Sequence, residues 1–146
     1  LLVGLFVIAF LPALGEELFF RGYLQNKFQQ LFASFHTAIW VSAFLFSAIH
    51  MQFYGFLPRM FLGALFGYLY HYTGSLFYPI LGHILNNTFT LLLVYASNEG
   101  LIDLDVQSTD TVSYPGAVVG ILVLILGFLY FKKVNRVPNE KLDESV

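Results

Sequence analysis

The 39 residues from Met60 to Asn98, MFLGALFGYLYHYTGSLFYPILGHILNNTFTLLLVYASN, contain no Asp, Glu, Lys or Arg. A helix needs about 20 predominantly apolar residues to cross a bilayer, so this run holds two crossings. Thr73-Gly74-Ser75 and the following Pro79 supply the break between them, because Gly and Pro interrupt helices and favour tight turns. The spacing predicts spans near Leu57 to Tyr72 and Leu76 to Ala96. The flanking sequence repeats the pattern. Residues 28–58 are 31 without a charge and hold a span at Phe35 to Phe56, and residues 111–131 are 21 more and hold one at Pro115 to Phe131. The opening Leu1 to Leu14 is apolar and lacks the basic stretch of a signal peptide, so it reads as a first transmembrane helix, with Pro12 as a kink or the start of a new segment. Gly22 to Phe32 continues that helix, mixing Gln25, Asn26, Lys27, Gln29 and Gln30 with Phe28, Leu31 and Phe32, and reads as amphipathic and interfacial. The fold class is therefore all-α, a polytopic transmembrane helix bundle.

Composition agrees. Of the 146 residues 58% are hydrophobic and only 11% charged, against about 25% charged in a soluble domain. A net charge of -2 leaves no basic face for a phosphate backbone, so nucleic acid is not an expected partner; the bilayer is. Zero cysteines exclude disulfides, Cys-ligated zinc and thiol nucleophiles. The loop Asn98 to Tyr114 carries Glu99, Asp103, Asp105 and Asp110 and no base, whereas the tail carries Lys132, Lys133, Arg136 and Lys141. The Lys and Arg bias puts the tail, residues 132–146, and the Lys27 region in the cytoplasm, in an integral multi-pass protein. Residues 1–131 form one domain, and the tail reads as a basic, disordered extension. Lipid is as apolar as leucine, so the helices must meet through small residues, for which Gly63 with Gly67 and Gly116 with Gly120 are candidates.

Several polar groups stand where they are expensive. An ionisable side chain at bilayer depth costs roughly 2.5 to 3.5 kcal/mol on insertion scales, so it is kept for pairing or function. Glu16, Glu17 and Arg21 fall on the first helix, His50 in the second span, and His83 and Asn87 in the fourth. At about 1.5 Å per residue Asn87 comes near the midplane, with His50 and His83 about 5 Å to either side. Residues four apart share a helix face, so Glu17 and Arg21 pair and offset each other, an architectural role. Glu16 diverges from Glu17 by about 100° and is left without a helical partner. A carboxylate unpaired in a low-dielectric site is suited to act as a general base. Peptide hydrolysis needs such a base for water, a second group to orient the water, and donors for the oxyanion. Glu16, His50 and the pair His83 with Asn87, one turn apart, fill those places. His36, His71, Trp40 and Arg59 fall near span ends and read as interfacial, with Tyr68, Tyr70 and Tyr72 as anchors.

Glu16-Glu17-Leu18-Phe19-Phe20-Arg21 matches EExxxR, Phe46-Ser47-Ala48-Ile49-His50 matches FxxxH, and His83-Ile84-Leu85-Asn86-Asn87 matches HxxxN, in that order. In these three signatures the chain resembles the CAAX protease and bacteriocin-processing (Abi) family of intramembrane endopeptidases, over about half its length. The resemblance implies a membrane-associated peptide or protein substrate, Glu16 and His50 holding and activating water, and His83 and Asn87 stabilising the oxyanion, with Glu17 and Arg21 in support. Domains of that family carry more helices than the five segments read here, which implies further N-terminal spans. Two mechanisms stay open. One uses glutamate without a cofactor; the other uses zinc held by Glu16, His50 and His83. The HExxH spacing is absent, and a His with Asn one turn later suits oxyanion donation, which favours the first. Two other classes compete with an enzyme: a catalytically silent immunity or peptide-binding protein of the same fold, and a proton or ion pathway, since intramembrane Glu, His and Arg also build relays.

Overall fold

The structure is a computed structural model and describes residues 1–103. Among them the regular structure is entirely helical, with α1 Leu2–Phe32, α2 Phe35–Ala48, α3 Phe56–Thr73 and α4 Phe77–Asn98. The four pack into one compact unit, Leu1–Ile102. Helices α1 and α4 are long and apolar enough to cross a membrane, and the architecture is the all-α membrane bundle expected. The span at 115–131, the pair Gly116 with Gly120 and the tail 132–146 lie outside the described residues.

Helix α1 buries Ala9, Ala13, Glu17, Arg21 and Gln25, one residue in every four. In an α-helix each step of such a repeat drifts by about 40°, so its last member would face away from its first. Two π-helical stretches, Leu5–Phe10 and Leu18–Gln25, put more residues into each turn and keep the stripe facing the bundle. The first ends just before Pro12, which sits in the opening turn of the α-helical stretch Leu11–Glu17. Pro12 thus opens a new α-helical stretch inside one continuous helix, and the widened turn ahead of it accommodates a residue without an N–H. Gly22 to Phe32 continues α1 as expected, with Lys27, Gln29 and Gln30 exposed and Gln25 buried.

Ala33, in a left-handed conformation at φ 50, ends α1. Ser34 then caps α2, its hydroxyl accepting from the Thr37 N–H at 3.4 Å. The inner face of α2 alternates small and large residues, Ala38, Ile39, Ser42, Ala43, Phe46 and Ser47. It packs on Gly63, Ala64 and Gly67 of α3, with Ile39, Ala43 and Ala64 at the centre. A Cβ on Gly67 would lie 2.9 Å from Ile39 Cγ2 and one on Gly63 3.1 Å from Phe46 Cδ1. Gly63 and Gly67 thus allow the close approach their spacing predicts.

The expected span Phe35 to Phe56 is corrected. Helix α2 ends at Ala48, and its 14 residues reach about 21 Å, short of the roughly 30 Å hydrocarbon layer. Met51 adopts φ 55, and the Ser47 hydroxyl donates to the Phe56 carbonyl at 2.7 Å, turning the chain into α3. His50 consequently sits on the turn after α2 and not within a helix at mid-depth. The break between α3 and α4 falls where Gly and Ser predict it. Gly74 takes φ 65 and donates its N–H to the Tyr70 carbonyl at 2.8 Å.

Candidate active site

The stripe on α1 carries the polar centre. Glu17 and Arg21, one turn apart and almost fully buried, pair at 2.8 Å between Oε1 and Nη1. Arg21 Nη2 donates to the Gly63 carbonyl at 2.8 Å, and Gln25 Nε2, one turn further, donates to the Gly67 carbonyl at 3.1 Å. Two rungs four residues apart on α1 therefore meet two carbonyls four residues apart on α3. These carbonyls are reachable because neither glycine has a side chain over it. A Cβ on Gly63 would lie 3.3 Å from Arg21 Nη2, and one on Gly67 2.8 Å from Gln25 Oε1.

Glu17 Oε1 also meets His83 Nδ1 at 2.8 Å. A carboxylate paired with a guanidinium can only accept, so Nδ1 carries the proton, and His83 is held in one orientation with Nε2 turned outward. Nε2 lies 3.8 Å from Glu16 Oε2, too far for a direct hydrogen bond. Glu16 Oε2 is buried and has no hydrogen-bond partner among the described residues. One carboxylate thus anchors the imidazole while its neighbour in sequence faces the other nitrogen.

His50 is oriented independently. Its Nδ1 is 2.8 Å from the Phe46 carbonyl, which accepts, leaving Nε2 free. The Phe46 ring packs edge-on against His50 at 5.3 Å and His83 at 5.8 Å between centroids, and lies 4.7 Å from the Arg21 guanidinium carbon. Phe66 stacks on the other side of His83 at 5.4 Å. Phe46 thus fixes both imidazoles and Phe66 fixes His83, and both rings give Arg21 an aromatic face, a favourable electrostatic contact out of water.

Glu16, His50, His83 and Asn87 all line one cavity of ≈ 470 Å³, together with Phe46, Asn86 and Arg59. That size falls within the range of ligand pockets. Among the described residues no three His, Asp or Glu side chains form a group able to hold a metal. His36 and His71 lie apart from the cavity: His36 is exposed and pairs with the Tyr68 hydroxyl at 2.8 Å, and His71 stacks on Phe35. Arg59, read as interfacial, lies in the first turn of α3 and lines the same cavity.

Sequence reasoning passed over Gln25, Phe46, Phe66 and Arg59. Gln25 had a signal, since Glu17, Arg21 and Gln25 continue one four-residue step, and Phe46 opens the FxxxH signature. Phe66 and Arg59 had none.

A family model described as type II CAAX prenyl endopeptidase Rce1-like matches residues 1–89, an interval that includes every residue of the three signatures. A protein of Bacillus subtilis (strain 168), described as uncharacterized protein YpbD, is 29% identical over 82 residues, covering 53% of this chain and 39% of that protein. The chain therefore spans about two-fifths of the length of this relative. No solved structure matches.

Proposed function

Since the chain belongs to the type II CAAX prenyl endopeptidase Rce1-like family, we propose that it hydrolyses a peptide bond of a membrane-associated substrate, with Glu16 as base. The observation carrying this reading is Glu16 Oε2, buried, unpartnered and 3.8 Å from a histidine nitrogen whose ring is locked from behind by Glu17. A water within hydrogen-bond reach of Glu16, and oriented by His50 Nε2, gives its proton to the carboxylate as its oxygen attacks the scissile carbonyl carbon. The carbonyl oxygen becomes an oxyanion, which the Asn87 amide and His83 Nε2, when doubly protonated, stabilise as donors. On collapse the C–N bond breaks, and Glu16 returns the proton to the leaving nitrogen. Glu17 and Arg21 position His83 and touch no reacting atom.

No cofactor takes part in this route. The alternative, zinc on Glu16, His50 and His83, has three donors facing one cavity in its favour but no converged ligand group among the described residues. The substrate is a peptide presented from the bilayer, of the prenylated CAAX type that the family description names. In the cell the chain is multi-pass with its tail, residues 132–146, in the cytoplasm, as the Lys and Arg bias supports.

The test compares purified wild type with Glu16→Gln on a prenylated peptide in detergent or nanodiscs. Glu16→Gln should lower kcat by at least about 100-fold, the scale of lost general-base catalysis, while peptide binding persists. Metal-depleted protein should keep full activity in the presence of a chelator. A silent binder would show no turnover in either form, and retention of cleavage by Glu16→Gln would remove Glu16 from the mechanism.

A further inference from the structure

Arg59 lines the same cavity as Glu16, His50 and His83, one turn into α3. It is the cation among the described residues that line this space, and Glu16 is the anion. The two form no ion pair, and Arg59 pairs with no other described carboxylate. Its Nη2 is held by Gln52 Oε1 at 2.6 Å. Its Nη1 is buried without a hydrogen-bond partner. A guanidinium offers five donors in a planar fork suited to two oxygens of one acid group, so an unsatisfied donor on a side chain that lines the cavity favours an acid group there. Leaving it unsatisfied costs more than a neutral donor would, since the group is charged.

The dimensions restrict what the acid belongs to. A sphere of that volume, ≈ 470 Å³, is about 10 Å across, which sets only the scale of the space. Three residues of extended chain cover roughly 10 to 11 Å. A peptide cleaved beside Glu16 can therefore bring an acid group to the Arg59 wall when its chain ends two or three residues beyond the cleaved bond. Ile8, Leu62, Leu91 and Val94 give the cavity apolar walls, suited to uncharged side chains.

We propose that Arg59 binds the free C-terminal carboxylate of the substrate and so fixes how far from the chain end cleavage occurs. This rests on the hydrolytic reading above and adds a specificity-determining residue to it. The test uses the full chain in phosphatidylcholine nanodiscs and two farnesyl-cysteine peptides. Each carries three apolar residues after the cysteine, and they differ only in ending as carboxylate or carboxamide. In Glu16→Gln protein, where binding is read without turnover, the carboxylate peptide should bind at least tenfold more tightly than the amide. Arg59→Gln should make the two equal, and Arg59→Lys should keep part of the preference. In wild type, amidation should raise KM and leave kcat nearly unchanged. Equal affinities for acid and amide in the Glu16→Gln protein overturn the proposal whether or not any Arg59 variant folds. So does a preference that survives Arg59→Gln. If the guanidinium instead serves a lipid phosphate, acid and amide bind alike and both weaken as phosphatidylglycerol replaces phosphatidylcholine, which also overturns it. The hydrolytic reading fails separately, when wild type cleaves neither peptide although the acid preference stands.

Discussion

Replacing Arg21 by Met, close in length and uncharged, isolates the charge at the centre of the bundle. Arg21 is 1% exposed and Glu17 0%. The substitution removes the ion pair at 2.8 Å and the hydrogen bond to the Gly63 carbonyl at 2.8 Å. Glu17 Oε1 then keeps only His83 Nδ1, and Oε2 already lacks a partner. Breaking a buried pair from one side costs about 3 to 5 kcal/mol, because a buried charge is left uncompensated. Glu17→Gln should cost a similar amount by stranding the guanidinium. The double variant Glu17→Gln with Arg21→Met contains neither charge and should recover most of that loss, which gives a coupling of at least about 2 kcal/mol in the double-mutant cycle. The chain has one tryptophan, Trp40, packed edge-on against Phe61 of α3 at 5.7 Å. Its fluorescence during mixed-micelle unfolding reports the α2 and α3 contact directly. A loss below about 1 kcal/mol for Arg21→Met, or a double variant as unstable as the sum of the singles, would refute the view that these two charges are mutually dependent.

Three further outcomes follow from the packing. Gly67→Ala should destabilise by about 1 to 3 kcal/mol through the contacts with Ile39 and Gln25 Oε1, whereas Gly15→Ala, with nothing within 4 Å of the new Cβ, should gain up to about 1 kcal/mol; the same unfolding assay ranks them. Ala33→Gly should stabilise by about 1 kcal/mol in that assay, since the position holds φ 50. Phe46→Leu, at a site 2% exposed, should cost about 1 kcal/mol of stability and lower kcat more than it raises KM, because the ring orients both histidines; equal effects on the two constants would argue against that orienting role.

The helices at Leu57 to Tyr72 and Leu76 to Ala96 were legible to within two residues at each end, because long runs of apolar side chains parted by Gly74 mark helix ends directly. The second helix was not, because a charge-free run cannot reveal a turn made of Met51, Gln52, Phe53, Tyr54 and Gly55. Its residues are as uncharged as the helix before them, and the signals that end α2 are a backbone angle and one hydroxyl contact. The three signatures named the side chains that meet in one cavity, yet the order of contacts within it was hidden. Glu17 reads as a partner for Arg21 from spacing alone, and its second bond to His83 spans 66 residues of sequence. That Arg59 lines this cavity was hidden for a related reason: depth along a helix is readable from sequence, but which neighbour a side chain faces depends on how the helices rotate.

The widened turns of α1 make the register of the first helix indispensable to everything attached to it. Removing a single residue between Leu18 and Phe20 would swing the remainder of the helix by about 100° and carry Arg21 and Gln25 off the two glycine carbonyls together. A deletion there should thus be harsher than most point substitutions in the same stretch, and relatives that have lost one residue at this place should also have abandoned the paired glycines opposite.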